Sequence, residues 1–282
     1  MEELRPLLIT YAYNLLGVLE EAEDVVQDVF LKFIQIETQN IQDKKAYLVR
    51  MVINHSINQK KKLNKKIIAY PGDWLPEPVA TNKTDDGINR KEILSYSLMV
   101  LLERLDPKER AVFILKEAYD YDHKEIAAVL AISHDNSRQL LSRAKKQLKV
   151  DTSVPEKNKY DNDLNKFLEI IQKADMQKLE QMLYEGIAIT SDGGGKVLAA
   201  IKVVSGRKLG MLMLTNLYKK FHKWQMMIGE VNHSPALLYY EKEKLVNCQV
   251  FTFANSVLIN VYFIRNPDKL KFLQKNLSLL SQ

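Results

Sequence analysis

Cysteine is almost missing from this sequence: Cys248 stands alone among 282 residues. An intrachain disulfide and a cysteine-based zinc site are therefore excluded, and a lone thiol of this kind is expected to be a buried structural group. Long apolar runs are missing as well, since none reaches the ~18 residues that a membrane span needs. The N-terminal stretch MEELRPLLITYAYNLL has acids where a secretory signal has bases, and no small-residue cleavage site. Three glycines follow Asp192, but no Walker or dinucleotide pattern surrounds them, so a tight turn is expected there rather than a phosphate cradle. These absences predict a soluble, cytoplasmic chain with no membrane partner; no metal, no cofactor and no catalytic residue are expected either.

A strong excess of one charge is also lacking. The formal net charge is +6, and residues 1–150 hold 23 bases against 22 acids. What is present is sorting. From Lys44 to Lys66 there are eight bases and no acid, and from Asn136 to Val150 five bases and no acid, while Glu20–Asp28 is acid-rich. A nucleic-acid argument rests on such clustering and not on the total.

Apolar periodicity predicts helices over most of residues 1–66, with Leu4, Leu8, Tyr11 and Leu15 in the first, Val25, Val26, Val29, Phe30 and Phe33 in the second (Glu20–Ile36), and Leu48, Val52 and Ile57 in the third (Asp43–Lys62). Residues 67–90 carry Pro71, Pro76 and Pro78 and read as a linker. Trp74 inside it is odd for a spacer and predicts that the segment docks somewhere. Residues 91–150 turn helical again, with Asp106-Pro107 as a helix start. A second linker surrounds Pro155. Residues 160–282 read as helices followed by consecutive strands, which predicts an α+β unit with a bent antiparallel sheet.

The sharpest local pattern is Asp122–Lys146: a helix, a turn at Ala131-Ile132-Ser133 and a second helix, the spacing of a helix-turn-helix. In that motif the second helix enters the major groove. His134, Asn136, Arg138 and Gln139 would then face base edges, and Ser142, Arg143, Lys145 and Lys146 the phosphates. An ordinary helical hairpin with a wet basic face has the same composition. In the Lys44–Lys66 stretch, Arg50, Asn54, His55 and Asn58 suit unstacked bases and phosphates, although lysine-rich helix ends are commonly just solvated. Asp24, Gln27 and Asp28 share one helix face, which is either wet or docked against a basic partner.

Together these segments resemble the extracytoplasmic-function (ECF) sigma factors, over residues 1 to about 150. Glu23 to Phe33 is similar to region 2.2, and the resemblance assigns Asp24, Gln27 and Asp28 to the clamp of core RNA polymerase. Ala46-Tyr47-Leu48 through Lys62 is similar to regions 2.3 and 2.4, which places Arg50, Asn54, Asn58, Lys61 and Lys62 at the −10 element. Leu105-Asp106-Pro107 and Glu125-Ile126-Ala127 through Arg143-Ala144 resemble region 4, which reads the −35 element and sits at the polymerase flap. Asn58 stands where relatives often have Asp, Lys60 where an apolar residue is common, and Ala131 in place of a turn glycine. The remainder resembles a subgroup with a fused SnoaL-like domain, carried by Trp74-Leu75-Pro76-Glu77-Pro78, by Asp192 to Lys196 and by Asn266-Pro267-Asp268-Lys269-Leu270.

The expected architecture is thus multidomain: two all-α sigma domains (a region 2 helical bundle at 1–66 and a region 4 helix-turn-helix at 91–150) plus a SnoaL-like α+β cone with a curved antiparallel sheet at 160–282. The resemblance implies a sigma factor that binds core polymerase and promoter DNA and is regulated in cis. An interdomain strip is expected from Trp74, Leu75, Pro76, Glu77 and Pro78 with Asp192 and Lys196. The alternative is a DNA-binding regulator whose SnoaL-like part binds a small molecule or acts as an isomerase or cyclase. For that chemistry Asp192, His222 and His233 are the candidates; a small-molecule effector at the C-terminal part is compatible with both readings.

Overall fold

Aspartates write the helix starts of this chain. In the computed structural model, which describes residues 1–36, 41–81, 87–148 and 160–278, Asp43 accepts from the Ala46 amide at 2.9 Å and Asp106 from the Lys108 amide at 2.9 Å, with Pro107 in the first turn. Asp122 accepts from the amides of Lys124 and Glu125, and the Glu125 carboxylate returns to the Asp122 amide at 2.7 Å, a complete capping box. Such caps satisfy amides that have no partner inside the helix. The helices that follow are α1 (Arg5–Leu16), α2 (Leu19–Ile34), α3 (Lys44–Ile68), α4 (Tyr96–Leu102), α5 (Pro107–Phe113), α6 (His123–Leu130) and α7 (His134–Leu148). Gly17 ends α1 in the left-handed region at φ 75°, and Ala131 takes φ 51° after α6, a strained choice for a side chain with a Cβ.

Two compact units emerge. The first comprises Met1–Ala69, Thr84–Leu94 and Leu98–Ser153. Its core is the apolar stripes of α1, α2 and α3, with Leu8, Leu15, Val26, Val52 and Ile53 buried. Helix α3 packs also on α5 and α6, so the two sigma-like helical groups share one unit. After α5 the chain makes a π-helical turn at Ile114–Ala118, and Tyr119 then stacks on Tyr11 with ring centroids 4.1 Å apart.

The second unit comprises Tyr70–Lys83, Ser95–Ser97 and Val154–Gln282. Helices α8 (Tyr160–Gln172) and α9 (Met176–Met182) precede strand β1 (Leu183–Asp192) and the short β2 (Val204–Ser205). After α10 (Arg207–Phe221) come β3 (Gln225–Val231), β4 (Ser234–Glu241), β5 (Lys244–Ala254), β6 (Val257–Ile264) and α11 (Pro267–Ser278). The strand order is β2-β1-β6-β5-β4-β3. The sheet is mixed and not wholly antiparallel as expected: β1 runs parallel to β6. The chain leaves β1 through β2, α10 and a meander, so it comes back beside β1 in the same direction, a long-range choice that no local pattern records. Two meander turns, Asn232-His233 and Asn255-Ser256, put both residues at positive φ, the backbone that matches strand twist in a two-residue hairpin. Ile187, Ile189, Leu237, Phe251, Val261 and Phe263 meet Leu164, Phe167 and Phe221 of the helices in the core.

The residues expected as a linker are in part built into this unit. Val79 and Thr81 exchange backbone hydrogen bonds with Asn232 and Glu230, so the segment runs beside the end of β3. Helix α11 was not foreseen, and α3 outlasts its expected end at Lys62 by more than a turn. The second linker expected around Pro155 lies outside the described residues. Cys248 is fully buried, and that burial pushes its thiol well above the ordinary range.

Candidate nucleic-acid interface and anchored segment

Helix α7 presents most of its expected reading residues to solvent. His134, Arg138, Gln139, Ser142, Arg143 and Lys146 are exposed, and Asn136 is half-buried. Their spacing follows from burial of Ser137, Leu140, Ala144 and Leu148 on the opposite face. Ser137 Oγ lies 2.9 Å from His123 Nδ1, a link between the two helices of the motif. Burial, then the charges of His134, Lys116 and Arg138, hold the His123 imidazole below its ordinary pKa, which marks the start of α7 as electropositive. Lys145, expected beside phosphates, instead pairs with Glu117 at 2.8 Å.

On α2, Asp24, Gln27 and Asp28 are exposed on one face. With Glu21, Leu31, His55 and Gln59 they line an open cleft of about 390 Å³. His55 Nε2 lies 3.5 Å from Asp28 Oδ2. Burial, with Lys32 nearby, lowers the His55 pKa in spite of that carboxylate.

The expected −10 residues divide. Arg50, Asn58, Lys61 and Lys62 are exposed. Asn54 is engaged: its amide donates to the Val129 carbonyl at 2.6 Å and to the Arg50 carbonyl at 2.8 Å. Val129 lies in the last turn of α6, where carbonyls lack partners inside the helix. A side chain expected to meet a base thus closes the first helix of the helix-turn-helix.

Below this face lies a buried charge cluster. Lys60 Nζ reaches the Glu103 carboxylate at 2.7 Å and the Leu16 carbonyl at 2.9 Å. Arg110 pairs with the same carboxylate and donates to the Asn14 carbonyl at 2.8 and 3.1 Å. Lys60 and Arg110 are 2% and 0% exposed. Burial alone would raise the Glu103 pKa, but Arg110 and Lys60 outweigh it and the net direction is down. In the sequence Lys60 is one of eight clustered bases, and its one distinguishing signal is a lysine at a position where the resemblance leads one to expect an apolar side chain.

In the second unit the segment around Trp74 is anchored by Asp192. Asp192 is fully buried. Its carboxylate accepts from the Tyr70 hydroxyl at 2.6 Å, the Leu75 amide at 3.0 Å, the Gly194 amide at 3.0 Å and Lys269 Nζ at 2.7 Å. Lys269 also donates to the Leu75 carbonyl and lies 4.2 Å from the Trp74 ring centroid. Gly194, at φ +63°, lies so close to Asn266 that a Cβ would sit 2.5 Å from its amide. Asn266 in turn donates to Tyr70 at 2.7 Å. Leu75, Pro76 and Pro78 are buried, and Trp74 and Glu77 half-buried. Lys196 stays at the surface, paired with Asp268 at 2.6 Å. The expected strip therefore gathers Trp74, Leu75 and Asp192, while Lys196 holds only the rim. Tyr70, Tyr96, Asn232 and Lys269 were missed as site residues. Tyr96 donates to the Pro76 carbonyl at 2.7 Å, and Asn232 accepts from the Val79 amide at 2.9 Å. Nothing local in the sequence marks Tyr96, twenty residues past Pro76, or the far more distant Asn232 as its partners.

The groups named for enzymatic chemistry are placed otherwise. Asp192 is committed to Lys269, His222 is exposed, and His233 sits 3.6 Å from Glu230. Among the described residues no cluster of ligating side chains fits a metal, and no helix is long and apolar enough to cross a membrane.

Comparison with known proteins agrees with this geometry. The family profile of Sigma-70 region 2 matches residues 1–66, and that of Sigma-70 region 4 matches residues 95–148. The ECF RNA polymerase sigma factor SigJ of Mycobacterium tuberculosis is 30% identical over 230 residues, 78% of this chain and 72% of that one. The probable ECF RNA polymerase sigma factor SigI of the same species is 23% identical over 285 residues, 97% of this chain and 94% of that one. The crystal structure of M. tuberculosis SigJ superposes with a TM-score of 0.77 at 24% identity, covering 96% of both chains, and so shares the fold.

Proposed function

This chain belongs to the extracytoplasmic-function sigma factors of RNA polymerase and serves transcription initiation, and we propose that its own division of labour is as follows. Asp24, Gln27 and Asp28 fasten α2 to the clamp of core polymerase, with region 4 at the flap. Arg50, Asn54, Asn58, Lys61 and Lys62 hold the unstacked −10 strand. His134, Asn136, Arg138 and Gln139 read the −35 major groove, while Ser142, Arg143 and Lys146 meet phosphates. The chain works in the cytoplasm and performs no chemistry itself. Its second unit regulates in cis by holding the segment Tyr70–Thr81 between the two sigma regions, and a small-molecule effector acts there. The domain limits 1–66, 67–90, 91–150 and 160–282 describe these tasks better than they describe packing.

One observation carries the reading: Asn54 of region 2 is bonded to Val129 of region 4. The two promoter elements lie roughly 85 Å apart along B-DNA, at about 3.4 Å per base pair. A protein in which a −10 residue is tied to the first helix of the −35 reader cannot span both elements without parting that contact, so this is a closed form that opens on polymerase. Tyr70–Thr81 would then move apart from, or pull on, helices on either side of it in sequence.

The test uses the full chain. Reversing two charges, Asp24→Lys with Asp28→Lys, is expected to abolish binding to core polymerase at an unchanged melting temperature, because both side chains are exposed. Retained polymerase binding sinks the sigma assignment of that face. Truncation near residue 155 is a poorer test, since it strips Tyr70–Thr81 of the Asp192 anchor.

A further inference from the structure

Two polar side chains on the inner side of the sheet have hydrogen-bonding capacity that the fold leaves unused. Asn247 on β5 is fully buried, and neither its Oδ1 nor its Nδ2 meets a partner among the described residues. Arg265, just past β6, has a buried Nε–H that is likewise unmet. Its Nη1 donates to the Leu198 carbonyl. Burial lowers its pKa, and no neighbouring carboxylate opposes that shift. Native folds leave few such groups, and each asks what it is for.

The two groups converge. Asn247 is the cross-strand partner of Tyr239, so both lie on one face of the sheet. The Phe221 ring is 5.5 Å from the Tyr239 ring and 5.8 Å from the Arg265 guanidinium, and Trp224 stacks on Phe221 at 5.0 Å. Cys248 pairs with Ile264, which brings positions 247 and 265 side by side one step further along. The neighbours are aromatic: Tyr239 and Phe221 belong to the core of the unit.

We infer that Asn247 and Arg265 form the polar end of a binding site for a small organic monocarboxylate with a flat apolar body. A half-buried guanidinium that meets no carboxylate among the described residues and keeps a buried, unmet Nε–H selects an anion. A carboxylate accepts from Arg265 Nε and from Asn247 Nδ2 at once. The remaining acceptor, Asn247 Oδ1, selects a hydroxyl donor beside that carboxylate. The aromatic rings take the flat body. An inorganic phosphate would leave those rings unused and ask for more donors than are present. The inference deepens the regulatory reading of the second unit and rests on it only for the consequence in transcription.

The probe is salicylate, with salicyl alcohol and benzoate as controls lacking the charge and the hydroxyl. Binding is measured on the full chain without polymerase, by calorimetry and by the melting temperature, which a ligand of the folded state raises. Salicylate is expected to bind saturably, one per chain, with salicyl alcohol weaker by about tenfold or more, as expected for loss of a charge-assisted pair. Arg265→Gln and Asn247→Leu should each weaken salicylate by about tenfold or more, and ligand-free Asn247→Leu should melt no lower than wild type because an unmet amide is gone. Absence of saturable binding, or equal affinity in Asn247→Leu, overturns the inference. Should Arg265→Gln fail to fold, Asn247→Leu decides alone. Polymerase takes no part, so a negative result here leaves the sigma reading standing, and a negative polymerase result leaves this site standing.

Discussion

Each unit sets a carboxylate, half-buried Glu103 in the first and fully buried Asp192 in the second, against a buried cation from a distant segment, but the two clusters are built differently. Glu103 faces two cations, Lys60 and Arg110, and the second rows of donors are spent on the carbonyls of Leu16 and Asn14. Asp192 faces one cation, Lys269, and fills its other lone pairs with two backbone amides and a tyrosine hydroxyl. The first cluster sets two cations on one carboxylate. The second is neutral and divides its dependence among four donors. Buried ion pairs add little net stability against apolar packing, yet removing one partner is costly because the other stays buried. A cluster with one anion between two cations is therefore suited to opening, and a neutral, multiply bonded one to staying shut.

That contrast predicts a ranking. Glu103→Gln leaves two buried cations and should cost about 4 kcal/mol, read by chemical denaturation; a cost below that of Asp192→Asn would break the comparison. Asp192→Asn keeps shape and some hydrogen bonds but takes the carboxylate charge away from buried Lys269, for about 3 kcal/mol. Hydrogen exchange should rise in Tyr70–Thr81 and not in α5, and protection unchanged in that segment would show that Asp192 is not its anchor.

Acid sharpens the same contrast at smaller amplitude. The Glu103 pKa is lowered in the fold from its ordinary 4.5. The folded state then binds fewer protons than the unfolded one, so its contribution is present above about pH 4.5 and is lost as pH falls through the depressed value. Melting temperature against pH should therefore drop more steeply below pH ~4.5 in wild type than in Glu103→Gln. Parallel curves would place the acid sensitivity elsewhere. Smallest of all, Lys196→Ala removes a pair whose side chains are 55% and 67% exposed, and it should change stability by about 0.5 kcal/mol or less. A larger loss would mean that Lys196 is part of the anchor and not its rim.

Local structure was legible where one physical cause dominates. The Asp106-Pro107 start and the Asp122–Glu125 capping box mark boundaries that the backbone obeys. The turns at Asn232 and Asn255 were legible for the same reason, since asparagine tolerates positive φ. Helix α11 was passed over because its residues drew attention as a motif, although Asn266-Pro267 is a fair helix start. Among the candidate residues, the solvent-facing rows of α2 and α7 were legible, because amphipathic spacing separates wet from dry positions without reference to anything distant.

Sequence by itself determined the element types, the sorting of charge, and three motifs in order that mark a sigma factor with an appended sheet unit. Tertiary structure alone decided that β1 runs parallel to β6, that Lys60 is buried, that Asn54 meets a helix end, and that Tyr70, Asn232 and Lys269 hold the proline-rich segment. The reason is one of range. Caps, periodicity and turns are settled within a few residues, whereas pairing of buried charges and amides is settled by which distant segments share the same dry space, where every polar group must find a partner.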